Sequence, residues 1–319
     1  MLGCGSIGRR HLRNLQTLGA TDLTVFEPDA ARCRDIEAES GVTAAADLES
    51  VWERLPEIAV VAAPTQAHAA AALAAARHGC HLFIEKPLSH SLEGLDLLGA
   101  EVEARGLQTM IGCNMRFHPG PAQVKALLER GEVGVPLAAR IQTGSYLPRW
   151  RPGQDYGQSY SASPEYGGAI LDCIHEIDLA LWYFGPAALL AAAHLPARTL
   201  GLETDGLAEI ILRHGRGPLS SVHLNFVQRD YRRCCQIIGS EGTIYWDFAA
   251  RRVDVYGPDG EQALSLPEPE HWQANQMYLE EMDHFLRAVR RGEPPMNSLS
   301  QARETLEIAL AARVRGNAD

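Results

Sequence analysis

Apolar runs of strand length alternate with helical periodicities over the first third of the chain. Residues 23–26, 57–63, 81–84 and 107–113 are short, nearly continuous apolar stretches, as expected of strands covered on both faces. Between them, 7–18, 67–78 and 92–105 read as helices; in the first, Leu12, Leu15 and Leu18 fall on one side. Gly79 and Gly106 stand where a helix needs a C-terminal stop. This alternation predicts a doubly wound, parallel α/β sheet.

The pattern changes after residue 116. One helix over 121–130 is followed by strands over 138–146, 189–195, 206–213, 220–228, 233–239, 242–247 and 252–256, joined by short turns and read as antiparallel. A helix over 171–184 interrupts them, and the tail is helical over 275–291 and 300–313, broken at Pro294-Pro295. The reading is therefore two domains: an α/β domain over 1–116, and an α+β domain with a large, mostly antiparallel open sheet over 117–319.

Chemistry first enters at the N-terminus. Gly3, Gly5 and Gly8 form G-x-G-x-x-G with Ser6 and Ile7 opening the first helix. One glycine allows the tight turn, the next lets a pyrophosphate approach the backbone, and the third lets the helix pack on the sheet. Glu27 ends the strand over 23–26, about 20 residues past the glycines, where an acid takes ribose hydroxyls. An acid there repels a 2′-phosphate, so NAD is favoured over NADP, and Arg32 lies too far along to reverse this. The strand before the glycine loop contains only Met1 and Leu2, against about five residues for an ordinary strand. Either the chain is truncated, or its start is mis-assigned, or that strand is very short.

The stretch His81-Leu82-Phe83-Ile84-Glu85-Lys86-Pro87 is a buried strand ending in a charged pair and a proline. Pro87 cannot donate to a ladder and biases Lys86 toward extended backbone. That holds an ammonium at the carboxyl end of a parallel strand, where open α/β sheets bind ligands. From there it can exchange a proton with a substrate hydroxyl.

In the second domain, Gly167-Gly168 precede Asp172, His175 and Asp178, each three apart. On one helix these three share a face. A carboxylate beside an imidazole raises its pKa and fixes its tautomer. Three polar residues on a face of an otherwise apolar run are costly unless that face borders a polar cleft. The glycines leave room for another segment or a ligand. The segment 146–156, with Trp150 and Arg151, is too irregular for a strand; it suits a sugar face, its hydroxyls or a carboxylate, or else an oligomer contact.

Composition narrows the classes. Of 319 residues, 46% are hydrophobic and 22% charged, ordinary for a protein with a sizeable core. A net charge of −11 disfavours nucleic acid and anionic membrane as partners. The seven cysteines are irregularly spaced without a C-x-x-C, which fits reduced thiols in a cytoplasmic protein and no metal site.

Gly3-Cys4-Gly5-Ser6-Ile7-Gly8, Pro64-Thr65-Gln66-Ala67-His68, Glu85-Lys86-Pro87, Asn114-Met115-Arg116-Phe117 and Gly167-Gly168 through Asp178, with the tail over 278–292, resemble the glucose–fructose oxidoreductase / inositol dehydrogenase / MocA (Gfo/Idh/MocA) family over nearly the whole chain. The resemblance implies a Rossmann domain, a sheet domain that mediates oligomers, and hydride transfer at a secondary alcohol of a sugar, amino-sugar or cyclitol. It implies NAD along Gly3, Gly5, Ser6, Ile7, Gly8, Glu27, Pro64, Thr65, His68, Glu85, Lys86, Asn114 and Arg116. Substrate would meet Lys86, Arg116, Trp150, Arg151, Asp172 and His175, with Lys86, Asp172 and His175 catalytic. The acid-to-histidine spacing departs from the family, three where four is usual. That shorter form, with the Trp150-Arg151-Pro152 loop, is similar to a subgroup associated with acidic amino-sugar pathways. A homodimer or homotetramer through the C-terminal sheet is expected. The rival class is a nucleotide-binding sensor that has kept the fold without turnover.

Overall fold

The computed structural model describes residues 1–215 and 217–316, and the chain divides into two compact units. The first unit opens with helices α1 (Ser6–Thr17), α2 (Ala30–Ser40) and α3 (Leu48–Trp52), then strand β1 (Ile58–Val61), helix α4 (His68–Arg77), strand β2 (His81–Glu85), helix α5 (Leu95–Arg105) and strand β3 (Thr109–Gly112). β1, β2 and β3 pair in parallel in that order. Single-residue bridges extend the sheet beyond β1: Leu2 pairs in parallel with Val61 and Phe26, and Val25 with Ala44. The lateral order is thus that of a dinucleotide-binding sheet, with the glycine-loop segment at its centre.

The strand before the glycines is indeed minimal, yet it is bonded on both sides. Leu2 donates to Val60 O (2.8 Å) and accepts from Ala62 N–H (2.8 Å), while Gly3 donates to Phe26 O (2.9 Å). Beneath it Cys4, Leu12, Val25, Ile36 and Val42 form one buried cluster. The strand expected over 23–26 is likewise reduced to bridges, because Ala44 and Leu2 reach only Val25 and Phe26.

The second unit begins with α6 (Pro119–Glu129) and β4 (Pro136–Tyr146), followed by α7 (Ala169–Asp172), α8 (His175–Phe184) and strands β5 (Ala188–Pro196), β6 (Asp205–Arg213), β7 (Leu219–Asn225), β8 (Val227–Gly239), β9 (Thr243–Asp247), β10 (Arg252–Tyr256) and β11 (Gln262–Pro267). The eight strands lie in the order β11-β10-β9-β8-β4-β7-β6-β5. Every pairing is antiparallel except β4 with β7, which is parallel because the long excursion through α7, α8 and two strands intervenes. Sequence reading missed β11. Alternate residues of the central strands, such as Ile141, Val222, Ile210, Ile237 and Ile244, are buried on one face, against which α6, α7 and α8 pack. The opposite face leaves Leu219 and Tyr245 exposed beside Arg140 and Gln236.

The tail is divided between the units. Helix α9 (Asn275–Arg291) and the chain as far as Arg303 belong to the first unit, and the remainder of α10 (Leu299–Gly316) to the second. The expected single domain over 117–319 therefore loses residues 274–303. The cause is contact chemistry: Phe285 sets its edge on Phe83 (5.7 Å between centroids), and Ile111 N–H donates to Asn297 O (3.0 Å).

Candidate active site

In the first unit the expected cofactor residues gather at the carboxyl ends of the parallel strands. A Cβ on Gly3 would lie 2.6 Å from the Ala63 backbone, and Gly3 holds φ +88; a Cβ on Gly8 would lie 2.4 Å from Gly3 O. Gly5 alone faces open space, with nothing within 4 Å of its Cβ position. That is the approach a pyrophosphate needs, next to the first turn of α1, which has no side-chain cap and no acidic residue. Glu27, buried, accepts the Cys4 N–H through Oε2 (2.8 Å), tying its carboxylate to the loop. Arg32, judged too distant from sequence, lies on α2 with Nη1 3.6 Å from Glu27 Oε1, because one helical turn returns it to the strand end. These features fit a dinucleotide.

His68 and Glu85 are placed differently from expectation. His68 is buried, Nδ1 2.9 Å from Pro87 O and Nε2 2.8 Å from Ala63 O. It braces the loops after β1 and β2, and burial pushes its pKa down against those two bonds. Glu85 turns inward to His11 Nε2 (2.5 Å) and also accepts the Lys86 N–H (3.1 Å). Burial alone would raise its pKa, but the bond and charge of His11, with Lys86, hold it below the ordinary carboxylate value. Lys86 stands half-buried just past β2, and the Lys86–Pro87 peptide is cis. Thr65 and Asn114 are buried, Pro64 is exposed, and the Tyr278 ring of α9 lies edge-on to His11, 6.2 Å between centroids. His11 and Tyr278 were not singled out from sequence; only their partners' positions reveal them.

In the second unit the expected single helical face does not exist. Asp172 ends α7, the backbone turns at Cys173 (φ −96, ψ 30), and His175 starts α8. Nor do the acids Glu176 and Asp178 of α8 need a cleft. Glu176, buried, receives Arg233 from β8 at both oxygens (2.6 and 3.1 Å), and Asp178, buried, receives Arg116 at 2.9 and 2.7 Å. Arg116, expected at cofactor and substrate, thus has two of its nitrogens on a buried carboxylate. The glycine pair makes room for the chain itself: a Cβ on Gly167 would lie 2.2 Å from Tyr160 O, and one on Gly168, at φ +97, 2.2 Å from the Asp205 carboxylate. Asp205 in turn accepts the Ile170 N–H (2.8 Å) at the start of α7.

That packing sets the loop near Asp172: burial, then the Asp172 charge, raises the Tyr160 phenol well above its ordinary pKa. The Arg151 guanidinium lies over the Tyr160 ring, 5.5 Å from its centroid. Trp150 donates through Nε1 to Ser145 (2.9 Å) and sets its edge on Phe226. The second unit therefore sets Arg151 on Tyr160 and Tyr160 near Asp172, with His175 three residues on.

Two family profiles match the chain: "Oxidoreductase family, NAD-binding Rossmann fold" over residues 1–113, and the Gfo/Idh/MocA C-terminal domain over 122–245. Among curated relatives, scyllo-inositol 2-dehydrogenase (NAD(+)) of Bacillus subtilis is 26% identical over 98% of this chain and 92% of its own. Myo-inositol 2-dehydrogenase of Thermotoga maritima is also 26% identical, over 98% and 94%. Among solved structures, an oxidoreductase from Agrobacterium radiobacter in complex with NAD+, L-tartaric acid and magnesium shares the fold, with TM-score 0.87 and 22% identity over 99% of this chain and 95% of that one. The two profiles span most of the chain, one on each unit, so the protein belongs to the Gfo/Idh/MocA family of NAD-binding oxidoreductases.

Proposed function

We propose that this chain is an NAD-dependent dehydrogenase acting on a secondary alcohol of a sugar, amino-sugar or cyclitol, with Lys86, Asp172 and His175 as its acid–base residues. The observation that carries the reading is the glycine cradle, closed by Gly3 and Gly8 and open at Gly5, in the same unit as β2, just past whose end stands Lys86. Gly5, Ser6 and Ile7 would hold the pyrophosphate through backbone N–H groups, and Glu27 would take the adenosine ribose hydroxyls. When bound, NAD supplies the hydride acceptor. The chain's own part is proton handling: Lys86 holds the substrate hydroxyl, and His175, its charge balanced by Asp172, takes the proton.

The test is direct. Purified protein with NAD and a panel of cyclitols, sugars, amino-sugars and sugar nucleotides should produce the absorbance of reduced nicotinamide with at least one of them. Cofactor binding without reduction on any member would return the sensor reading.

Cofactor choice gives a sharper check. Glu27 repels a 2′-phosphate, while Arg32 beside it would welcome one. The unmutated protein should bind NAD more tightly than NADP, and Glu27→Ser should narrow the gap by leaving Arg32 without its acid. Equal affinities before mutation, measured by fluorescence titration, would reject the assignment of Glu27.

We also infer a homodimer or homotetramer through the outward face of the β4–β11 sheet, where Leu219 and Tyr245 are exposed. Light scattering at micromolar concentration should give twice or four times the chain mass; a monomer refutes it. Among the described residues no helix is long and apolar enough to cross a membrane, and the free cysteines support a reducing compartment, the cytoplasm.

A further inference from the structure

The Glu85 carboxylate at the end of β2 is gripped from the helix that follows the glycine loop. His11 stands on α1, three residues past Gly8, and is fully buried. Its Nε2 lies 2.5 Å from Glu85 Oε1, and Glu85 Oε2 accepts the Lys86 N–H (3.1 Å). Gly112 of β3 leaves room for the carboxylate, since a Cβ there would lie 3.3 Å from Oε1. Phe83 and Tyr278 set their rings edge-on to His11, at 5.0 and 6.2 Å between centroids. On the other side of Lys86, Pro87 O meets His68 Nδ1 (2.9 Å). The backbone is therefore held both before and after Lys86.

We propose that His11 and Glu85 are positioning residues of the dehydrogenase: His11 clamps the Glu85 carboxylate, the carboxylate holds the Lys86 amide, and the helix of the pyrophosphate loop and the acid–base lysine are thereby set as one piece. This rests on the reading of Lys86 as an acid–base group.

A buried carboxylate stays an anion only where donors reach it. Glu85 has one at each oxygen, the His11 ring and the Lys86 amide. Among the described residues His11 Nδ1 has no hydrogen-bond partner. A buried N–H without an acceptor is costly, so the ring proton sits on Nε2 and is donated to Glu85. The groups that face the carboxylate are His11 from α1, His68 at the start of α4, the adjacent Lys86, and Tyr278 from α9 with Arg10 and Glu281 beside it. Burial raises the Glu85 pKa, and the bond and charge of His11, then Lys86 and His68, more than offset that. Without His11, burial favours the protonated form. A protonated Glu85 brings an O–H of its own among the donors, and the two-sided grip is lost.

His11→Phe keeps an aromatic ring between Phe83 and Tyr278 and removes the donor. Its kcat should fall roughly 10- to 100-fold, the range that a small misplacement of a reacting group costs. KM for the alcohol and NAD affinity should stay nearly unchanged. The acidic limb of kcat should move up by on the order of one pK unit, because Glu85 now protonates more readily. Carbon-13 NMR of labelled glutamate carboxyls, with Glu85 assigned from Glu85→Gln, should show the same upward shift without substrate. Glu85→Gln keeps the shape and decides the matter even where His11→Phe fails to fold. Its amide oxygen can still hold the Lys86 N–H, while its NH2 turns to His11 and drives the ring proton to Nδ1. Nitrogen-15 NMR of the labelled imidazole should show that change of tautomer, with a smaller fall in kcat than in His11→Phe. A lower melting temperature with kcat, the acidic limb and the Glu85 titration all unmoved would reduce the pair to packing and overturn the proposal. An unchanged His11 tautomer in Glu85→Gln would overturn it equally. If the unmutated protein reduces NAD with no alcohol of the panel, the dehydrogenase reading fails and the positioning role falls with it. The two NMR measurements need no turnover and separate that failure from a failure of the His11–Glu85 bond.

Discussion

Lys86→Ala should lower kcat by roughly 10²–10⁴-fold, the usual contribution of a general acid–base group, and leave NAD affinity nearly unchanged. The cofactor cradle is built from Gly3, Gly5, Gly8 and Glu27, none of which needs the ammonium. His175→Ala should cost a similar factor. If both residues serve one proton transfer, the double variant should be little worse than either single one, because groups that act as a unit are not additive. Asp172→Asn should be intermediate, since the amide keeps the shape and loses the charge. The His175 variant should also lose the acidic limb of its pH–rate profile, the group that must be deprotonated being gone. Full activity in His175→Ala beside an inactive Lys86→Ala would leave Lys86 as the sole candidate.

Asp178→Ala should destabilise the second unit by about 3–5 kcal/mol, the typical cost of breaking a buried ion pair by removing one partner. Arg116 and Asp178 are 3% and 0% exposed, and their contact is two-pronged, at 2.7 and 2.9 Å. Truncating the acid leaves a buried guanidinium without the carboxylate that both its bonds reach. Replacing both together, Arg116→Met with Asp178→Leu, should recover most of the loss, because two apolar side chains of similar volume remove both desolvation costs. Urea unfolding followed by far-ultraviolet dichroism measures each value. A loss below about 1 kcal/mol for Asp178→Ala, the size of a solvated pair, would show that the pair is not desolvated.

The same arginine shows where sequence reading stops. Arg116 sits in a motif that pointed to ligand, and nothing local indicates that Asp178, 62 residues on, would occupy it. Glu176 and Arg233 are 57 residues apart and were equally invisible as a pair. Asp172, His175 and Asp178 in an apolar run call for a polar neighbour, and that much was legible; that Asp178 meets Arg116 depends on which distant segment arrives there. Likewise the spacing Asp172–His175–Asp178 fits one helical face only if the helix is continuous, and the chain breaks it at Cys173 between α7 and α8.

What the sequence determined by itself is what a few adjacent residues enforce. Glycines at positions 3, 5 and 8 are a backbone requirement, and the tight contacts at Gly3 and Gly8 with open space at Gly5 match the reading residue for residue. The apolar run 81–84 closed by Pro87 reads as a strand, and β2 runs from His81 to Glu85 with Lys86 just beyond it. Tertiary structure decided what depends on distant chain meeting distant chain. Residues 274–303 return to the first unit because Phe285 and Asn297 find partners there. Arg32 turns back to Glu27, and Glu85 turns inward to His11. Periodicity records which face of an element is buried, but not which side chain waits on the other side of the contact.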